Sequence, residues 1–141
     1  MLERQISDKL SNLTAKASGF ATFTQKSSEE LEYLEDIHVK WSSGMEHPAT
    51  KHYKYILKDD VLAQYNPVTK ENNEEDFERM YDLVFYHEDG KLKANGDFLC
   101  GCDMYKAEYV FDSMKKFKLS YNVKGKSKDY ETITTFIKCL S

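Results

Sequence analysis

Two carboxylates stand where carboxylates are expensive. Glu35 interrupts a face of alternating residues, Leu31, Tyr33, Ile37, Val39 and Trp41, and Asp103 shares a face with Tyr105, Ala107, Tyr109 and Phe111. A carboxylate on an apolar strand face is desolvated, and desolvation raises its pKa. Such a group is either paired or used: as a ligand contact, or as a general acid or base with phenol hydroxyls nearby to stabilise developing charge. Tyr53 and Tyr55, Tyr105 and Tyr109, Tyr121 and Tyr130 all fall in phase with apolar neighbours, and so do Thr132 and Thr134. Tyrosine both donates and accepts, so these phenols suit a polar ligand head group and suit a closed internal network equally well. Lys128 lies in phase with Tyr130 beside the turn at Gly125, within reach of either carboxylate or of a ligand anion. The candidate ligand-binding set is therefore Tyr33, Glu35, Tyr53, Tyr55, Asp103, Tyr105, Tyr109, Tyr121, Lys128 and Tyr130.

Positioning these groups requires strands. From Phe20 onward the pattern has period 2, with strands expected over 19–25, 30–41, 49–58, 61–65, 81–87, 97–111, 115–123 and 128–138. Lys58-Asp-Asp60, His87-Glu-Asp-Gly90 and Ala94-Asn-Gly96-Asp read as tight turns, because Asp-Gly and Asn-Gly supply positive φ. Residues 66–79 read as the longest loop, with room for a short helix around Phe77 and Met80. Leu2, Ile6, Leu10, Leu13 and Ala17 recur at helical spacing and predict an N-terminal α-helix within residues 1–15, ahead of a barrel over 19–138. The predicted fold is one mainly β domain: an antiparallel up-and-down barrel of about nine or ten strands, which removes exposed edges by closing on itself.

The run Gly19-x-Ala21-x-Phe23, then Tyr33-x-Glu35, Tyr53-x-Tyr55, Cys100-x-x-Asp103-x-Tyr105 and Gly125-x-x-Lys128-Asp129-Tyr130 resembles a small family of single-domain proteins that is itself a conserved domain of unknown function. The resemblance spans roughly residues 4–138 and implies a lipocalin-like or calycin barrel with a ligand-binding interior. Two elements of the family pattern differ here. Phe98 stands where the motif has histidine, and Lys126-Ser127 stand for Pro-Arg. Any anion held by that arginine would fall to Lys126 or Lys128, whose ammonium lacks the guanidinium fork.

The remaining signals narrow the classes. Across 141 residues the net charge is −4, so no basic field invites nucleic acid or anionic lipid. No apolar run approaches the ~20 residues that span a bilayer, and Met1 to Ile6 lack a signal-peptide core. Three cysteines without such a signal point to free thiols in a reducing compartment, the cytoplasm. Cys100 and Cys102 are expected two apart on one strand face, and with Cys139 and the four histidines they form no metal-ligand pattern. Only His87, in phase with Tyr81, Leu83 and Phe85, is placed to face inward as a haem ligand. No phosphate loop, nucleophile elbow or dinucleotide fingerprint occurs, so no cofactor is implied. Three functions stay open. The first is a barrel that binds a small amphipathic molecule. The second is a cofactor-independent isomerase or hydrolase using Glu35 or Asp103. The third is an interaction protein with a side-chain-filled barrel and an acidic segment at Glu71–Asp76. Oligomeric state is not encoded legibly.

Overall fold

A computed structural model describes residues 1–139, and its ten strands close into a single barrel. They are β1 (Leu2–Asp8), β2 (Leu13–Gln25), β3 (Glu30–Trp41), β4 (Glu46–Lys58), β5 (Val61–Thr69), β6 (Glu75–Glu88), β7 (Lys91–Cys100), β8 (Asp103–Ser113), β9 (Lys116–Lys124) and β10 (Asp129–Ile137). Each strand pairs antiparallel with its neighbour in sequence. The first and last then pair from Leu2↔Phe136 to Asp8↔Tyr130, which leaves no sheet edge.

The N-terminal helix is not there: among the described residues every regular element is a strand. Residues four apart share a face of a strand as well as of a helix, so Leu2 and Ile6 fit both periods. What hid the strand is Arg4. It is buried between them, and a guanidinium at an inward position broke the apolar alternation. Leu10 belongs to the turn and is exposed, while Asn12 takes the positive φ that the turn needs. The division into a helix over 1–15 and a barrel over 19–138 falls with it, because β1 is the stave that closes the barrel.

Four further expectations change. Residues 66–79 are mostly strand, carried by β5 and β6 with a turn between Thr69 and Glu75. Both faces of this extension are largely exposed, so the alternation that marks a strand is missing. Asn95-Gly96 lies within β7, not in a turn. A Cβ on Gly96 would fall 2.1 Å from Cδ2 of Tyr81, so glycine is present to admit that ring. The expected strand over 97–111 is divided by a two-residue turn at Gly101 and Cys102, which takes Cys102 off the strand face of Cys100. His87 is exposed, as the buried alternation of β6 ends at Leu83. The turns at Asp59-Asp60 and Asp89-Gly90 form as read, each with positive φ at both positions.

The inward face is layered. Toward the end bearing the β2–β3 and β8–β9 turns, Phe23, Tyr33, Phe111, Phe117 and Phe136 pack together, Phe23 and Tyr33 edge-on and Phe117 stacked on Phe136 at 4.4 Å between centroids. That end is plugged by aromatic carbon. Outward positions carry charge, as Glu32, Asp36 and Lys40 do along β3.

Candidate functional site

The middle of the barrel holds a buried ion pair. Arg4 on β1 donates from Nη1 to Glu35 Oε2 at 2.9 Å and from Nη2 to Oε1 at 2.6 Å, while its Nε donates to Thr134 Oγ1 at 2.7 Å. The Tyr33 hydroxyl adds a third bond to Glu35, reaching Oε1 at 2.5 Å. β2 lies between β1 and β3, and its inward residues Ala15, Ala17, Gly19 and Ala21 are small enough to let the two side chains meet across it. A Cβ on Gly19 would fall 2.1 Å from the Asp36 carbonyl oxygen, so this close approach of β2 and β3 requires glycine. Burial alone would raise the Glu35 pKa, but the bonds and charge of Arg4 and the Tyr33 hydroxyl outweigh it, and the net direction is down. Glu35 is thus an ionised, sealed carboxylate with a fully buried side chain.

Beside it lies a cluster of phenols around one amide. Tyr81 and Tyr109 donate to Gln64 Oε1 at 2.6 and 3.1 Å. That oxygen has two lone pairs, so Tyr121 is served instead by the Tyr81 oxygen at 2.6 Å and Tyr55 by the Tyr109 oxygen at 2.9 Å. Every phenol proton then has an acceptor. Gln64 Nε2 donates onward to Asn66 Oδ1 at 3.0 Å. Burial pushes the pKa of Tyr55, Tyr81, Tyr109 and Tyr121 upward, so these hydroxyls stay protonated. The space left among Arg4, Tyr33, Glu35, Tyr55, Tyr109 and Phe136 is only about 20 Å³, room for one water.

The opposite end is different. Above the ion pair and the phenols the barrel opens toward the turns after β1, β3, β5, β7 and β9. Two hollows adjoin there. One, of about 300 Å³, is walled by Tyr53, Asn66, Met80, Phe98, Tyr105 and Tyr121. The other, of about 360 Å³, is walled by Ile6, Ile37, Val39, Trp41, Ala49 and Thr132. Lys51 and Tyr130 line both, so the two form one basin. At its rim Lys128 donates to the Tyr105 hydroxyl at 2.8 Å and lies 3.7 Å from Asp103. A Cβ on Gly125 would fall 1.6 Å from Asp103 Oδ1, which ties the glycine of the Gly125-x-x-Lys128 motif to this carboxylate. Trp41 Nε1 donates to His47 Nε2 at 3.0 Å, and His47 Nδ1 lies 3.2 Å from the Pro48 carbonyl oxygen.

The sequence-derived set therefore divides by depth. Glu35, Tyr33, Tyr55 and Tyr109 are sealed in the interior. Tyr53 and Tyr121 form the floor of the basin, and Tyr105, Tyr130, Asp103 and Lys128 belong to its wall and rim. Tyr33 and Tyr53 stack across β3 and β4 at 5.6 Å, joining floor to interior. Sequence reasoning passed over Arg4, Gln64 and Lys51. Lys51 carried a signal, being in phase with Tyr53, Tyr55 and Leu57; Gln64 is two residues from Leu62. The three cysteines are free and exposed, and among the described residues no three His, Cys, Asp or Glu side chains gather. Among the described residues no helix is long and apolar enough to cross a membrane.

Comparison with known proteins places the fold. The S-type phycobiliprotein lyase CPES from Guillardia theta is similar over 99% of this chain and 86% of its own, with a TM-score of 0.58 at 9% identity. The redesigned β-barrel mFAP1, in a structure bound to DFHBI, is similar over 97% of this chain and 91% of its own, with a TM-score of 0.43 at 14% identity. No curated protein matches the sequence. The model of the family described as "Family of unknown function (DUF6314)" matches residues 1–138, and the chain belongs to that family.

Proposed function

We propose that this protein binds a small amphipathic molecule in the basin at the turn-bearing mouth of the barrel. The observation that carries the reading is the basin itself: adjoining hollows of about 300 and 360 Å³ joined through Lys51 and Tyr130. Ligand sites are concavities of about 300–1,000 Å³, largely apolar with a few placed polar groups. Ile6, Ile37, Val39, Trp41, Met80 and Phe98 supply the apolar wall, and Lys51, Asn66 and the hydroxyls of Tyr53 and Tyr130 supply the polar groups. The deeper lumen is filled by the protein's own side chains, so the ligand sits at the mouth and not at the barrel centre.

Proton-transfer chemistry at Glu35 is disfavoured. Its carboxylate takes three hydrogen bonds and has no exposed surface, so it cannot reach a substrate in the basin. Amide chemical-shift mapping with the neutral amphiphile N-phenyl-1-naphthylamine tests the binding reading. Shifts should cluster at Val39, Trp41, Lys51, Met80, Phe98 and Tyr130, and Ala49→Trp, which fills the hollow beside Trp41, should weaken binding and shrink them. Shifts confined to the outer wall, or none, would refute it.

A further inference from the structure

Lys51 and Glu35 are direct cross-strand partners in the pairing of β4 with β3, and both side chains belong to the inward face. Opposite charges so placed ordinarily pair, because their Cβ atoms are about 5 Å apart. Here they do not. Glu35 gives both oxygens to Arg4 and accepts the Tyr33 hydroxyl, and Lys51 has no ion-pair or hydrogen-bond partner among the described residues. Lys51 nonetheless has solvent contact, at the junction of the two hollows.

The other charges around the basin are matched. Arg4 has Glu35, and Lys128 has Asp103 and the Tyr105 hydroxyl. Asp8 accepts the backbone N–H groups of Leu10 and Ser11 in its own turn, and His47 Nε2 accepts from Trp41. One cation is left over, in a concavity whose other lining groups are aromatic, aliphatic, neutral polar or already partnered. Lys51 is exposed at the mouth, so its ammonium is free to meet an incoming anion in a charge-assisted hydrogen bond. Desolvation by the surrounding walls and then the charge of Arg4 hold the Lys51 pKa below the ordinary lysine value, against the opposing pull of Glu35.

We propose that Lys51 selects the charge of the ligand: the basin takes an amphipathic anion, its acidic group on Lys51 Nζ and its apolar body against Trp41, Val39, Met80 and Phe98. This inference rests on the binding reading above and adds the chemical class of the ligand.

Two fluorescent probes with the same aromatic body separate the claims. N-phenyl-1-naphthylamine is neutral, and 1-anilinonaphthalene-8-sulfonate carries one sulfonate. Fluorescence titration of the full chain should show the sulfonate bound at least about tenfold more tightly, as expected for one hydrogen bond to a charged group. Lys51→Met should remove that preference while leaving the neutral probe within about twofold, and Lys51→Arg should retain most of it. Lys118→Met, on the outer wall, should change neither. Binding of both probes with no preference, or a preference that survives Lys51→Met, overturns charge selection and leaves the amphiphile reading intact. Equal loss of the sulfonate in Lys118→Met and Lys51→Met assigns the signal to surface association and overturns the proposal. Binding of neither probe overturns both readings.

Discussion

Arg4 and Glu35 meet edge to edge across an intervening strand, two N–H groups on two carboxylate oxygens at 2.9 and 2.6 Å, with Glu35 fully enclosed. The pair spans β1 and β3, so it locks the closing stave of the barrel to its third strand. Breaking a buried pair from one side strands a charge, whereas replacing both partners with apolar groups does not. Arg4→Met should therefore cost about 3–5 kcal/mol in urea unfolding, and Arg4→Met with Glu35→Leu should recover most of that loss. A single substitution costing under about 1 kcal/mol would mean that the carboxylate reaches water on its own.

The same pair sets an acid response. Arg4 and Tyr33 hold the Glu35 pKa below its ordinary value in the folded chain. The unfolded chain, with a Glu pKa near about 4.3, takes up its proton first as pH falls. The stability from this group is thus complete above the unfolded pKa and is lost as pH drops through the lower folded value. Unfolding free energies of the wild type and the Arg4→Met, Glu35→Leu double variant, measured from pH 6 to pH 3, should converge on acidification by a decline in the wild type. Parallel curves would show that Glu35 does not titrate differently in the two states.

Gly96 is a packing residue. The Tyr81 ring occupies the space where its side chain would begin, with Cδ2 and Cε2 at 2.1 and 2.5 Å from the position of a Cβ. Gly96→Ala should displace the ring and with it the Tyr81 hydroxyl that serves Gln64 and Tyr121. Overpacking of this kind costs about 1–3 kcal/mol. The loss should appear in the urea midpoint together with weakened near-ultraviolet dichroism of the tyrosines. An unchanged spectrum would place the ring elsewhere.

Strand phase was legible wherever apolar and aromatic residues alternate, as in β3, where Tyr33, Glu35, Ile37 and Val39 are buried and Leu34, Asp36, His38 and Lys40 are not. It was illegible where an inward position is polar. Arg4 disguised β1, and the exposed hairpin of β5 and β6 offers no buried face to read. Gly96 misled for a related reason: a glycine that makes room for a ring looks in sequence like a glycine that makes a turn. The polar interior was readable from the phenols, but its partition was not. Whether Glu35 faces a ligand or a guanidinium depends on Arg4, thirty-one residues away, and no local pattern reports that meeting. Lys51 is the converse case. Its register opposite Glu35 suggests a salt bridge, and only the prior claim of Arg4 on the carboxylate leaves the lysine free to face the basin.

The phenol cluster hangs on one acceptor. Tyr81 and Tyr109 both donate to Gln64 Oε1, and Tyr121 and Tyr55 donate to those two phenols in turn. Removing the amide and removing a terminal phenol are therefore unequal. Tyr55→Phe deletes a donor at the end of the chain and leaves the Tyr109 bond to Gln64 in place, a loss of about 0.5–1.5 kcal/mol. Gln64→Leu takes away the acceptor on which two buried hydroxyls depend, and each buried group left unpaired costs about 1–3 kcal/mol. Tyr81 and Tyr109 lie 3.4 Å apart, so one can turn its proton to the other, but at least one donor stays unsatisfied. Urea unfolding of the two variants should show Gln64→Leu as the more destabilising. Equal losses would mean that water enters the cluster and replaces the amide, a result that would also require the sealed interior below the basin to be open to solvent.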